Sequence, residues 1–417
     1  MVPIRLLTDQ DASAMARLML NAYPGYDLSP NARQTTEDWV RREVKRGEED
    51  RLAGWFEADG ALSGGIRILT QPMNLRMKQV NAIGLGALCV DLLHKKKKIA
   101  LELLRWSFEE ARKSGISMAV LDPFNIGFYK KMGCGIAVKH HQFRLAPSQL
   151  PDTGDRNQVK ELTRRDYPAI MAYQRRYFRQ HHGMLQRAEH EVKEVLDGCQ
   201  MILGVWEQEQ LAGVMPIRFQ RTGPDNVFRT HLIVEELLYN HTHVLQAFLS
   251  FLHAQADQIV QVIFTSQDRF FEALFENPDT GCDDTFHTRK NEIYRTGNGM
   301  MIRILDVPRV METVEVPDRL AERLPLRVAL TDPMMLDQAG KWIFSDAGGR
   351  LAAKKCMDNE ETDGTLDITD LASLVMGAVD MDSLLRYGRV QAVHPARMGV
   401  LGELLHYPVA PVCLSRF

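Results

Sequence analysis

The segment from Leu88 to Gly135 narrows the possible folds of this chain more than any other. Leu88-Cys89-Val90 reads as an apolar strand. It feeds His94-Lys95-Lys96-Lys97-Lys98-Ile99-Ala100, a cationic turn, and then a long amphipathic helix that should stop at Gly115. A second apolar run, Ile116 to Leu121, precedes Phe128-Tyr129-Lys130-Lys131-Met132-Gly133-Cys134-Gly135. The first N–H groups of a helix have no partner inside the helix, and its dipole favours anions there. A strand that delivers lysines to that end is a good cradle for a pyrophosphate. A tyrosine one strand later can supply a proton to a leaving group.

The rest of the chain is organised around that segment. Val2 to Leu7 reads as a strand, and Asp9 opens a helix with Ala12, Met15, Ala16 and Met19 on one face. A second helix is expected from Thr36 to Glu49. Leu52 to Glu57 and Leu62 to Leu69 form a hairpin through Asp59-Gly60. Ala137 to Leu145 is expected to close this first unit, and Pro147, Pro151, Gly154 and Asp155 mark a linker.

The same order then recurs. Val159 to Leu162 is a strand, and a helix surrounds Tyr167 to Phe178. The hairpin Val205-Trp206-Glu207 with Leu211-Ala212-Gly213 echoes Trp55-Phe56-Glu57 with Leu62-Ser63-Gly64. Leu232-Ile233-Val234-Glu235 is taken as the counterpart of Leu88-Cys89-Val90-Asp91. A helix from His243 to Gln258 and a strand from Val260 to Thr265 follow. The turn Leu238-Tyr239-Asn240-His241-Thr242 carries no lysine cluster, so this copy should lack the phosphate site. A third unit starts near Leu305, with strands at Leu326 to Leu330, Lys341 to Phe344 and Leu366 to Ile368. Its helix carries Leu371, Leu374, Val375 and Met376 and stops at Gly377. The last residues, Ala410 to Phe417, are largely apolar, whereas a frayed end is usually polar.

Composition excludes several classes. The 417 residues have room for two to four domains, and 45% hydrophobic with 25% charged residues is ordinary for a globular chain. A net charge of −3 argues against general nucleic-acid binding. The six cysteines have neither CxxC nor zinc spacing and read as free thiols in a reducing compartment. No run is long and apolar enough to span a membrane, and no signal-peptide core is present, so a cytoplasmic protein without membrane or nucleic-acid partners is expected. No metal is expected either. Asn359 to Gly364 followed by Asp370 only loosely matches a calcium loop and reads as an acidic turn. The pairs His140-His141 and His181-His182 have no partners at ligand spacing.

These features together resemble the Eis (enhanced intracellular survival) family of GNAT N-acetyltransferases. The sharpest points are His94 to Ala100, Phe128 to Gly135, Met301 to Val307 and the aromatic end at Phe417. The resemblance implies an α+β (α/β) architecture of two tandem GNAT domains and a sterol-carrier-protein-like domain, at residues 1–150, 151–304 and 305–417. It implies acetyl-CoA as co-substrate, bound by Leu88, Cys89, Val90, Lys95, Lys96, Lys97, Lys98, Ile99, Ala100, Leu101 and Asn125. It also implies Tyr129 as general acid, the carboxylate of Phe417 as general base, Trp39 in the substrate cleft, and a hexamer. The acceptor would be a primary amine, either an aminoglycoside-like polyamine or a lysine side chain.

Two departures stand out. The family's cofactor turn has a glycine where this chain has Lys98, and Arg416 stands near the place of an acidic residue in some members. A non-enzymatic reading therefore stays open beside the enzyme, in which a degenerate GNAT binds acyl-CoA or lipid as a sensor or scaffold. Tyr129 and the aromatic end favour turnover. Taken without the resemblance, Tyr129 and Trp39 are packing residues. An α-carboxylate, with a reference pKa near roughly 3.5, is a useful base only when desolvated.

Overall fold

The structure, a computed structural model, describes residues 3–23, 25, 29–47, 50–223, 229–282, 291–357 and 359–417. Val2 and Glu49, the expected ends of the first strand and second helix, lie outside them. The chain begins β1 (Ile4–Leu6), α1 (Ala12–Ala22), α2 (Pro30–Arg46), β2 (Asp50–Phe56), β3 (Leu62–Leu75), β4 (Lys78–Val90), α3 (Ile99–Lys113), β5 (Met118–Leu121), α4 (Ile126–Lys131) and β6 (Gly135–Ile136). It continues β7 (Lys139–Leu145), β8 (Val159–Leu162), α5 (Tyr167–Gln180), α6 (Glu189–Asp197), β9 (Met201–Glu207), β10 (Gln210–Arg221), β11 (Thr230–Val234), β12 (Leu238–Tyr239), α7 (Thr242–His253), β13 (Ile259–Ser266), β14 (Arg295–Asn298) and β15 (Met301–Ile304). The remainder is α8 (Val307–Met311), α9 (Asp318–Ala321), β16 (Leu326–Thr331), β17 (Gly340–Asp346), β18 (Leu351–Lys355), β19 (Gly364–Asp367), α10 (Ile368–Val375), α11 (Met381–Arg386), β20 (Gln391–Ala392) and α12 (Pro395–Leu405).

These elements divide into two compact units. One holds residues 1–137, 300–409 and 417, and the other holds 138–299 and 410–416. The first unit contains a seven-stranded sheet in the order β1-β2-β3-β4-β5-β15-β6 and a five-stranded sheet in the order β18-β17-β16-β19-β20. β4 and β5 run parallel, with Ala82 opposite Met118 and Leu85 opposite Leu121. A parallel pair needs a crossover, and α3 supplies it. Its face Ile99, Leu103, Leu104, Phe108 and Ala111 is buried, and each large side chain there contributes about 1.5–3 kcal/mol. The β3–β4 hairpin runs well past the expected Leu69. Arg76 and Met77 at its tip both have left-handed backbones, φ 53° and 63°, which suit a two-residue hairpin turn.

Read from its far edge, the sheet of the second unit runs β8-β9-β10-β11-β13-β7-β14, with β12 also paired to β10. Position by position this repeats the first sheet, so the chain contains two GNAT-like sheets and a smaller C-terminal one. One expectation fails. The strand thought to close the first unit, β7, stands in the second sheet between β13 and β14. Its place in the first sheet is taken by β15, between β5 and β6. Only Phe143 and Leu145 of β7 are apolar and buried, and two such positions do not say which sheet the strand joins.

Within the first unit the two glycines of the Phe128–Gly135 segment receive other side chains. Gly133 has φ +80°, and a Cβ on it would collide with the Arg303 guanidinium. Arg303 is fully buried and bonds Asp332 at 2.6 Å. Gly135 packs against the Thr369 carbonyl and Ser373 of α10. The smaller sheet and its helices are thereby held on the first sheet. None of the described helices is long and apolar enough to cross a membrane.

Candidate active site

The site begins as an irregularity in β4. Gly65 pairs with Cys89 and Arg67 with Gly86, so Ala87 and Leu88 together face the single residue Ile66. This is a β-bulge, and Ala87 sits in a left-handed conformation at φ 46°. β4 pairs with β5 only as far as Leu85. Beyond that point the strands part and open a cavity of about 380 Å³, lined among others by Trp39, Arg67, Leu88, Asp122, Tyr129 and Phe417. Tyr23 fixes one edge by donating from its hydroxyl to the Leu88 carbonyl at 2.7 Å.

Tyr129 reaches the cavity from α4. Asn125 caps that helix, its side-chain oxygen accepting the Phe128 N–H at 2.9 Å. The Tyr129 ring meets Phe124 and Phe128 edge-on, with centroids 5.5 and 5.1 Å away. It is 4% exposed, and burial drives its hydroxyl well above the ordinary tyrosine range, so it stays protonated. Phe417 enters over two glycines of β4. Its ring lies where a side chain on Gly84 would be, and its carboxyl carbon lies where a Cβ on Gly86 would be. That pair of glycines at alternate strand positions was the available sequence signal, since glycine inside a strand often marks a close approach.

Behind the cavity wall lies a buried ionic cluster that sequence reading missed. Arg67 donates to Asp50 at 3.0 and 2.6 Å and to Glu43 at 2.7 Å. Arg46 pairs with Glu43 and reaches Asp50 at 3.5 Å. Burial and a hydrogen bond shared with Asp50 push Glu43 up to about 8, whereas Arg67 and Glu43 hold Asp50 below the carboxylate range against its own burial. The Arg67 guanidinium also lies over the Trp39 ring at 5.4 Å.

The cationic turn lies between β4 and α3. Asp91 accepts the Leu93 N–H and bonds His94 at 3.0 Å, and that imidazole holds its carboxylate low. Lys95, Lys96, Lys97 and Lys98 are all exposed. Lys96 and Lys98 both have φ 66°, and Lys98 is the N-cap of α3 without a side-chain cap bond. The position at which the resemblance expects a glycine is a left-handed one in this chain, occupied by a lysine. Of the expected site residues, Trp39, Leu88, Tyr129 and Phe417 line one cavity. Cys89 and Ile99 are buried, with Cys89 facing the Gly65 carbonyl and Ile99 filling the space over Gly64, so only their backbones face outward chemistry. Val90 pairs with Gly64, and Ala100 and Leu101 are half-buried on the first turn of α3. Among the described residues no group of His, Cys, Asp or Glu could hold a metal ion. Asp363 and Asp370 of the acidic turn are engaged by Arg397 and Arg389.

The second unit has a cavity of its own, about 530 Å³, lined among others by Arg176, Glu207, Asn240 and His241. It lies at the β9–β10 turn and the start of α7.

Residues 3–137 match the acetyltransferase (GNAT) domain family, and residues 307–414 match the sterol carrier protein domain family. The chain thus carries an acyltransferase domain of GNAT type and a sterol-carrier-protein-like domain. Solved structures share the whole fold. A GCN5-related N-acetyltransferase from Anabaena variabilis is 17% identical, with a TM-score of 0.81, over 99% of this chain and 100% of that one. One from Kribbella flavida is 19% identical, with a TM-score of 0.75, over 99% and 98%. Eis1 from Mycobacterium abscessus is 16% identical, with a TM-score of 0.78, over 99% and 100%, which agrees with the Eis-like resemblance. At these identities the likeness is one of fold. No curated protein sequence matches the chain.

Proposed function

We propose that the chain transfers acetyl from acetyl-CoA to a primary amine by direct attack, in the cavity between β4 and β5. The observation that carries this reading is the shared cavity: the bulge at Ala87, Tyr129 and the carboxyl end of Phe417 all face it. Backbone N–H groups of Ile99, Ala100 and Leu101, with the lysines of the turn, suit a pyrophosphate. The open edge of β4 past Leu85 suits an extended pantetheine arm paired as an added strand. The Phe417 carboxylate, against apolar neighbours, accepts a proton from the incoming ammonium, directly or through water. Tyr129, held neutral, donates a hydrogen bond or proton to the departing thiolate. Direct attack needs no nucleophilic side chain. The C-terminal domain, in this reading, serves to deliver Phe417, and the active form is an oligomer in the cytoplasm.

The test is thiol release from acetyl-CoA in the presence of primary amines, with the chain as it stands and with a few residues added after Phe417. Turnover by the first and its loss in the second, at equal melting temperature, is expected. Full activity of the extended form removes Phe417 as base. Tight acetyl-CoA binding without release to any amine favours the sensor reading instead.

A further inference from the structure

The acceptor side of the cavity has its own chemistry, and that chemistry is unsuited to a polycation. The cavity of about 380 Å³ is at the small end for a ligand site. Part of it lies along Leu85 to Leu88, where the acetyl thioester must also fit. Tyr23, Trp39 and Phe124 give the remainder aromatic walls. Among the described lining residues the charged side chains are Arg67 and Asp122, and Asp122 is exposed at the rim.

Charge in the wall points the same way. Arg67 and Arg46 face Glu43 and Asp50, two carboxyl groups that share a hydrogen bond in a buried place. Glu43 keeps its proton near neutral pH, so the four groups together carry about one excess positive charge. One face of the Trp39 ring already lies under the Arg67 guanidinium. A second or third ammonium would meet a cationic wall answered by one lining carboxylate, the solvent-exposed Asp122, and in a low-dielectric cleft such mismatches are costly.

Resting on the transferase reading above, we infer that the acceptor is a compact primary monoamine with an apolar or aromatic body, not a polyamine or aminoglycoside. One ammonium meets the Phe417 carboxylate, and the apolar body lies against Trp39 and Phe124. The attacking nitrogen forms the amide bond to the acetyl carbon as the carbon–sulfur bond breaks. The ammonium gives one proton to the carboxylate, which passes it to solvent, before the nitrogen attacks; the second leaves the nitrogen as the amide forms and restores Tyr129, which has protonated the thiolate.

The experiment compares kcat/KM for phenethylamine, spermidine and kanamycin at fixed acetyl-CoA. A preference of about tenfold or more for phenethylamine is expected, the scale on which apolar pockets discriminate. Trp39→Ala should raise KM for phenethylamine about fivefold or more and leave KM for acetyl-CoA unchanged. Equal or better use of spermidine or kanamycin overturns this inference while leaving the transferase reading intact, as does an unchanged KM for phenethylamine in the variant. Failure of all three amines, with acetyl-CoA still bound in calorimetry, overturns the transferase reading and this inference with it.

Discussion

Both units contain the same crossover, a strand leading into a helix that returns as a parallel strand, yet they treat its entrance differently. In the first unit Gly64 pairs with Val90 and packs beneath Ile99 and Leu103. In the second, Gly213 pairs with Tyr239 and packs beneath Val244 and Phe248. Aligned on these glycines, the counterpart of Leu88-Cys89-Val90 is Leu237-Leu238-Tyr239, and not Leu232 to Val234 as the residue pattern suggested. The segment between the aligned positions is Asp91 to Lys98 in the first unit and Asn240 to His243, half as long and already entering α7, in the second. The strand break also differs. Opposite the open bulge at Ala87, the second unit has Glu235, Glu236 and Leu237, and Glu236 forms a buried pair with Arg187 at 2.6 and 3.0 Å. Arg416 reaches Glu235 at 3.0 Å, and Arg187 also reaches the Leu414 carbonyl. One splay is a cavity; the other is closed by ion pairs. A duplicated framework thus keeps its sheet without keeping the site, because the site depends on a few loop residues and one bulge.

The contrast can be broken most directly at the seat of Phe417. Gly86→Ala puts a Cβ into the Phe417 carboxyl carbon, so acetyl transfer should fall by at least about 10²-fold, as for loss of a general base, with circular dichroism unchanged. His241→Ala in the second cavity should alter turnover less than about twofold. Equal losses in both would dissolve the distinction between the units. Tyr129→Phe comes next: kcat should drop by about 10²-fold while the acetyl-CoA Kd from calorimetry holds. Near-normal turnover would mean that the leaving thiolate finds its proton elsewhere.

Lys98 sharpens the comparison at the loop. Lys98→Ala and Lys98→Gly remove the same charge, so both should weaken acetyl-CoA binding more at low salt than at high salt. Only the glycine relieves the left-handed backbone, so it should be the more stable of the two by about 1 kcal/mol. Identical melting curves would show that the conformation costs nothing.

The smallest effect concerns buried charge. The second unit's Arg187 and Glu236 form a one-to-one pair, but in the first unit two carboxyl groups share Arg67. Glu43, raised from 4.5 to about 8, keeps its proton in the folded chain over a range where the unfolded chain has lost it. Its contribution is full below the unfolded value and disappears as pH rises through about 8. Asp50 is shifted the other way, so its contribution is lost on acidification instead. The melting temperature should therefore fall between pH 6.5 and 9, and Glu43→Gln, which cannot ionise, should flatten that fall. A variant that falls as steeply as the parent would place the titration in another group.

Much of this arrangement was readable from residue patterns, and the exceptions share a cause. The run Val90, lysines, Ile99 announces strand, turn and helix because each local preference agrees with its neighbours. Tyr129 is singled out by its surrounding segment, and Phe417 by an apolar, aromatic end together with the family resemblance; both line one cavity. The glycines of that segment, Gly133 and Gly135, read as part of a catalytic motif, but they make room for Arg303 and α10. Gly84 and Gly86 signal a close approach without naming what approaches. The Glu43–Asp50–Arg67 cluster joins positions far apart in sequence, and amphipathic spacing does not encode such partners. The exchange of β7 and β15 is hidden for a similar reason: hydrophobic alternation identifies a strand and its buried face, not its neighbour.

That exchange bears on how the chain is made. β15 lies between β5 and β6, with Ile302 opposite both Val120 and Gly135. On the ribosome, β5 and β6 emerge long before the strand that joins them, and the first sheet stays incomplete until the second repeat has been synthesised. Contacts so distant in sequence form slowly, and the open edge of an apolar strand such as β5 invites pairing with another chain. A fragment ending at Ala137 would leave the GNAT domain in that state permanently, so its poor recovery from cells would reflect a missing strand and not a weak domain.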